Sequence, residues 1–211
     1  MKAKFKPLPR DFFSRDPRRV SKAILGKLLV RKNGRNPLVA RIVEVEAYLG
    51  TDDPAAHAAS GRTARNAVLF GPPGHAYIYF IYGNHYCLNV SCLPDGVPGC
   101  ILVRALEPLS GIREMAALRG ITLEGTKNLK LMTSGPGRLA EAFGITREQD
   151  NDKDLTNAKC DLYIADDGWR PEKIAITTRI GLTKAAELPL RYIIAGNKFV
   201  SGPRNLVQLD Q

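Results

Sequence analysis

A short run of the chain, RIVEVEAY (41–48), places two carboxylates and a phenol at alternate positions. In an extended strand Glu44, Glu46 and Tyr48 project from one face, and Val43, Val45 and Ala47 from the other. Carboxylates on an otherwise apolar strand are costly to bury unless they are paired or hydrogen-bonded. A partly buried Glu is suited to act as a general base that takes a proton from water. The same pattern also fits a polar outer face with one Glu paired to Arg41 or Arg104. On this strand alone both readings stand.

Further chemistry lies downstream. The runs HAYIYFIYG (75–83) and HYCLNVSCL (85–93) alternate as strands and meet at Gly83-Asn84, which predicts a hairpin. Tyr77 and Tyr79 share one face of it, and Tyr82 has the opposite parity at the lip. Such a surface can stack on nucleic-acid bases and carry a wedge at its tip, although strand aromatics serve equally as core or cross-strand pairs. Asn89 offers a donor and an acceptor for reading a base edge, and Arg104 can orient a carboxylate or a water. Either also suits a structural hydrogen bond. SGPGRL (134–139) reads as a helix start able to hold an anion, or as a plain helix-breaking turn.

These residues need elements to position them. PRRVSKAILGKLLVRK (17–32) has helical apolar spacing behind Pro17, which predicts a helix. LVARIVEVEAYLG (38–50) predicts a strand, and residues 50–74 a long irregular segment of the kind that usually carries function. CILVRALEP (100–108) predicts a third strand beside the hairpin. Helices are predicted over 109–120, 127–133 and 137–144, and strands over 160–166 and 190–200. No repeat or linker interrupts this order. The expected fold is α+β: a single mixed domain with a curved, largely antiparallel sheet, surrounding helices and a protruding β-hairpin. Its expected limits are an extended basic lead over 1–16 and one domain over 17–211.

Composition narrows the function classes. The 211 residues are 44% hydrophobic and 25% charged, which is globular rather than disordered. The net charge of +10 sits in residues 1–37, where 12 Lys and Arg face only Asp11 and Asp16; residues 38–211 hold 19 of each sign. That points to a polyanionic partner, nucleic acid or an acidic surface, or to a merely solvated basic lead. No apolar run reaches the roughly 20 residues needed to span a bilayer, and the basic start has no apolar signal core. Cys87, Cys92, Cys100 and Cys160 form no C-x-x-C pair, which suggests reduced thiols in a cytoplasmic protein. Walker, dinucleotide, zincin and nucleophile-elbow motifs are absent. His57, His75 and His85 lack helical ligand spacing, so no metal site is expected.

Taken in order, RIVEVEAYLG, DPAAHAASGRTARN, YIYFIYGNHYCLNVS and ILVRALEP closely resemble the alkyladenine (3-methyladenine) DNA glycosylase family. SGPGRLAEAFGI, NDKDL, RIGL and LPLRYIIAGNKFVS agree too, so that the resemblance runs from about residue 9 onward. It implies roles residue by residue. Glu46, the second Glu of E-x-E-A-Y, matches the general base, and Arg104 the Arg that helps hold the attacking water. The carbonyl of Ile180 would be a further contact to that water. Tyr48, His57 and Tyr79 match the aromatic residues that sandwich an extruded base, and Tyr82 the side chain that fills the vacated space. Asn89 matches the residue that clashes with the exocyclic amine of guanine. Glu44 has no assigned chemistry and is expected to be structural.

The implied activity is monofunctional: a damaged purine is flipped out of duplex DNA and its N-glycosidic bond hydrolysed, with no cofactor and no strand cleavage. The implied partner is double-stranded DNA containing damaged purines, bound by a monomer in the cytoplasm, at the nucleoid if the source is bacterial. Two rivals remain at this stage. Glu44 and Glu46 could be the carboxylate pair of a carbohydrate glycosidase, on the order of 7 Å apart. The basic lead and Tyr hairpin could instead form a non-catalytic nucleic-acid-binding module.

Overall fold

The computed structural model describes residues 5–34, 36–81, 83, 85–123 and 128–202. In chain order its elements are α1 (Pro17–Ile24), β1 (Leu28–Arg31), β2 (Leu38–Tyr48), β3 (Ala76–Ile81), β4 (His85–Ser91) and β5 (Cys100–Ser110). There follow α2 (Ile112–Leu118), α3 (Leu129–Thr133), α4 (Pro136–Ala142), α5 (Arg147–Asp150), β6 (Leu162–Ala165), β7 (Ile174–Thr177) and β8 (Arg191–Ile194). All strands pair antiparallel in one eight-stranded sheet of order β3-β4-β5-β2-β1-β6, with β8 and then β7 branching from β2. This is the expected α+β class. No helix of the described residues is long and apolar enough to cross a membrane.

The branch sets the geometry. The first half of β2 pairs with β1 through residues 38–41, and its second half with β8 through residues 44–46. Its other edge pairs with β5 along most of its length. Register shifts lie between Ile42 and Glu44 and between Glu44 and Val45. Such bulges kink a strand and raise its twist. The bulge also resets parity: Ile42 and Val43, adjacent in sequence, both enter the main core, as do Val45 and Ala47.

Strict alternation then sorts the neighbouring strands into two faces. Ala76, Ile78, Leu88, Val90, Ile101 and Val103 turn into the main core. The helices cover that side: α4 packs on β4 and β5, and α1 on β2 and β5. Tyr77, Tyr79, Cys87, Asn89 and Arg104 occupy the intervening positions, and Glu44, Glu46 and Tyr48 continue that face on β2. One side of the sheet is therefore core, and the other carries polar and aromatic groups beneath loops.

The helix predicted over 17–32 is corrected. Asp16 caps α1 by accepting from the Arg18 amide at 2.8 Å, but the helix ends at Ile24. Gly26, at φ +87°, turns the chain, and residues 28–31 pair with β2 on one side and β6 on the other. Both faces of this strand are buried, with Leu29 in the main core and Leu28 and Val30 in a second cluster. A short strand buried on both faces carries no alternation, so its apolar run looks like more helix. β7 and the one-turn α5 are elements that the sequence reading missed. Within the lead, residues 10–12 form a 3-10 turn and Phe13 is fully buried in the main core.

Candidate active site

Glu44 and Glu46 are both completely buried, so the strand is not a polar outer face. Their surroundings differ. Glu44 Oε1 accepts from Arg104 Nε at 3.0 Å, Arg191 Nε at 2.7 Å and Ser201 Oγ at 2.9 Å. Its Oε2 accepts from the Ser201 amide at 2.6 Å. Two guanidiniums and a backbone amide thus consume this carboxylate, which ties β5 and β8 to the segment after β8. A carboxylate fully buried and held by four donors is placed for a structural role. Arg41, the other partner considered, pairs with Asp167 at 2.8 Å instead.

Glu46 is held differently. The Tyr48 hydroxyl donates to its Oε2 at 3.0 Å, and the Ile180 amide donates to its Oε1 at 2.8 Å. Arg104 Nη1 lies 3.2 Å from the same Oε1. All three partners are donors, matched to an ionised acceptor-only carboxylate. Arg104 therefore spans both glutamates, Nε toward Glu44 and Nη1 toward Glu46. Burial alone lowers its pKa, but the Glu46 and Glu44 charges outweigh that and raise it, so the guanidinium stays charged. Burial, and then the Glu46 charge, push the Tyr48 phenol up, which keeps it a donor. The Ile180 amide thus contacts Glu46 directly.

A cavity shares Tyr48 with this cluster. Tyr48, His57, Tyr77, Tyr79, Asn89 and Leu182 are among the walls of this cavity of about 140 Å³. The His57 and Tyr79 rings meet edge to face with centroids 4.6 Å apart. His57 Nδ1 lies 2.9 Å from the Tyr77 hydroxyl. Burial, then the Arg65 charge, lower the His57 pKa and favour the neutral ring. Asn89 is 3% exposed, stands opposite Tyr77 in the hairpin register, and donates from Nδ2 to the Tyr77 carbonyl at 3.2 Å. A larger space of about 330 Å³, lined by Arg104, Gly135–Arg138 and Ile180–Leu182, shares Tyr48, Tyr79, Ile81 and Leu182 with it. The SGPGRL turn thus borders the outer chamber. Of the expected site residues, seven meet here: Glu46, Tyr48, His57, Tyr79, Asn89, Arg104 and Ile180. Tyr82, expected at the hairpin tip, lies outside the described residues.

The loop carrying His57 is built from its own polar side chains. Gly50, at φ +94°, starts it where a Cβ would fall 2.1 Å from the Pro98 carbonyl oxygen. Asn66 accepts from the Thr63 amide at 2.7 Å and donates to the His57 and Gly61 carbonyls at 2.9 Å each. Asp53 accepts from the Leu49 and Ala55 amides and pairs through both oxygens with Arg179, at 2.6 and 2.9 Å. Sequence reasoning missed Asp53, Asn66 and Arg179. The only signal for Arg179 was its place beside Ile180 in RIGL. No group of three His, Cys, Asp or Glu side chains among the described residues could hold a metal ion.

The arrangement joins a buried carboxylate, held by donors, to a cavity of about 140 Å³ with aromatic walls. The chain matches the family model described as methylpurine-DNA glycosylase over residues 11–198. A protein of Koribacter versatilis is 61% identical, over 97% of both chains. Relatives from Burkholderia lata and Carboxydothermus hydrogenoformans are 47% and 44% identical, over 93% and 92% of this chain and 91% and 98% of their own. All three carry the provisional name 3-methyladenine DNA glycosylase. With 188 consecutive positions matched and polar residues of its sheet converging on one buried carboxylate, the chain belongs to the methylpurine-DNA glycosylase family.

Proposed function

We propose that this protein is a monofunctional DNA glycosylase that extrudes a damaged purine into the aromatic chamber and hydrolyses its N-glycosidic bond. One observation carries the reading: Tyr48 is at once a wall of the aromatic slot and a hydrogen-bond donor to the buried Glu46. A base held in the slot would set its sugar carbon beside that carboxylate.

A glycosidic bond inside duplex DNA is out of reach, so the nucleotide must rotate out, at a cost of roughly a few kcal/mol. In this reading Tyr82 fills the vacated stack, and Tyr48, His57 and Tyr79 close on the base. Stacking favours electron-poor and cationic alkylated purines, which are also better leaving groups. Asn89 meets a guanine amine and rejects the normal base. Glu46 takes a proton from water as the water oxygen bonds to C1′ and the bond to the purine nitrogen breaks, its electron pair leaving with the base. The carboxylate also stabilises the positive charge that develops on the sugar. Arg104 and the Ile180 amide hold Glu46 for this step, and the Ile180 carbonyl is a further contact to the water. Among the described residues no Lys lines either chamber, which favours base release without a Schiff base and hence without strand cleavage. The basic lead supplies sequence-independent attraction to phosphates, and one copy of the chain suffices.

End-labelled duplexes carrying one hypoxanthine, one ethenoadenine or one normal adenine test the reading, developed with and without alkali. Lesion-dependent breaks that appear only after alkali are the expected result. Tight binding to all three duplexes with no break on any alkylated or deaminated purine, 3-methyladenine included, would leave a binding module in its place.

A further inference from the structure

Two buried charges beside the chambers have no part in the chemistry above. Asp53 and Arg179 are paired with both side chains fully enclosed. Arg179 Nη1 also donates to the Ala47 carbonyl at 3.1 Å, and Nη2 to the Ala185 carbonyl at 3.4 Å. Its guanidinium carbon lies 4.7 Å from the centroid of the Tyr48 ring. The next residue, Ile180, donates its amide to Glu46. Asp53 meanwhile gathers the Leu49 and Ala55 amides at the start of the loop that carries His57.

We propose that Asp53 and Arg179 are a positioning pair that fixes the Tyr48 ring and the Ile180 amide against Glu46, locking the base slot and the hydrolytic carboxylate into one geometry. This rests on the glycosylase reading of the same site. Three separate stretches meet in the pair: the end of β2, the loop behind Gly50 and the segment after β7. An Arg fork bound to both carboxylate oxygens fixes direction as well as distance, which a Lys cannot reproduce. The guanidinium packs on the ring that walls the slot, so ring and amide move together if the fork is lost. A packing role alone would affect stability; a positioning role must reach Glu46.

The acid limb of single-turnover excision reads that effect, using a neutral base such as hypoxanthine so that the lesion itself does not titrate. Glu46 is faced by Glu44 and Tyr48 on its own strand, Arg104 on β5, Cys87 on β4, Arg191 opposite it on β8 and Arg179 after β7. Arg179→Lys keeps the positive charge but breaks the fork. The Ile180 amide then no longer holds the carboxylate, Glu46 is easier to protonate, and the acid limb moves to higher pH. Asp53→Asn supplies the contrast. Acting through charge alone it would leave Arg179 uncompensated and move the limb down; acting through geometry it moves the limb up.

The expected result is a fall in single-turnover rate of about 10- to 100-fold for both variants, with the acid limb displaced upward and cooperative melting retained. Arg170→Lys, in an exposed ion pair with Asp166 that touches no residue lining either chamber, is expected to leave rate and limb unchanged. A folded Arg179→Lys or Asp53→Asn protein with the wild-type limb overturns the proposal, whatever its rate, as does loss of cooperative melting in both. Glu46→Gln separates the two claims: if it excises normally, the hydrolytic reading itself has failed rather than the positioning pair.

Discussion

The Tyr48 hydroxyl donates to Glu46 Oε2 at 3.0 Å, so a wall of the aromatic slot and the buried carboxylate form one hydrogen-bonded unit. On the proposed mechanism, recognition and hydrolysis share this side chain. Removing only the hydroxyl, in Tyr48→Phe, keeps the ring and takes one donor from Glu46. A hydrogen bond to a charged group contributes about 1.5–3 kcal/mol, so excision should slow roughly 10- to 100-fold at unchanged pH. Lesion affinity in a gel-shift titration should stay within a few-fold, and comparable losses in both would reassign Tyr48 to stacking alone.

Glu44 and Glu46 sit two positions apart and are buried alike, yet substitutions should separate them. Glu44→Gln leaves Arg104 and Arg191 without the charge that both engage. Uncompensated buried charge costs on the order of 3 kcal/mol, which urea denaturation should show as a lower midpoint. Stability unchanged to within about 0.5 kcal/mol would contradict the structural role.

The legible and illegible parts of this chain separate by sequence distance. Period 2 sufficed to put Tyr77 with Tyr79 and Glu44 with Glu46 and Tyr48, because alternation is local. The resemblance then named residues from β2, β3, β4 and β5 that the sheet brings to one face. β1 was lost because a strand buried on both faces has no alternating signal. β7 was lost for another reason: it is short and partly exposed, with Ile176 at 41%. The Asp53–Arg179 pair spans 126 positions, and no local pattern announces a partner that far away. Nor can any side-chain pattern reveal a backbone group such as the Ile180 amide.

His57 supplies a test by pH. Burial and Arg65 lower its pKa, so the folded protein favours the neutral ring more than the unfolded chain does. Its contribution to stability is present above the ordinary histidine value of 6.5 and is lost as the pH falls through the lower folded value. Urea midpoints should rise from acid pH to neutrality more steeply for the wild type than for His57→Gln. Parallel slopes would place His57 in water rather than in the slot.

Asn89 is anchored through Nδ2 on the Tyr77 carbonyl and lines the aromatic cavity. If it excludes guanine by clash, Asn89→Ala should make guanine release from mispaired duplexes measurable while hypoxanthine release persists. Continued silence on guanine would move the exclusion elsewhere.

Tyr82→Ser tests the wedge role that the family resemblance assigns to the hairpin tip. Loss of the ring should weaken capture of the flipped base, read as weaker binding to a lesion duplex relative to undamaged DNA. Equal affinity for wild type and variant would remove Tyr82 from base extrusion.

The most direct test of Glu46 as the hydrolytic base is single-turnover release of hypoxanthine from an end-labelled duplex by wild type and Glu46→Gln. The expected outcome is alkali-dependent cleavage at the lesion for the wild type and none for Glu46→Gln, which still retards the lesion duplex in a gel. Near-normal release by Glu46→Gln would contradict the mechanism at its centre.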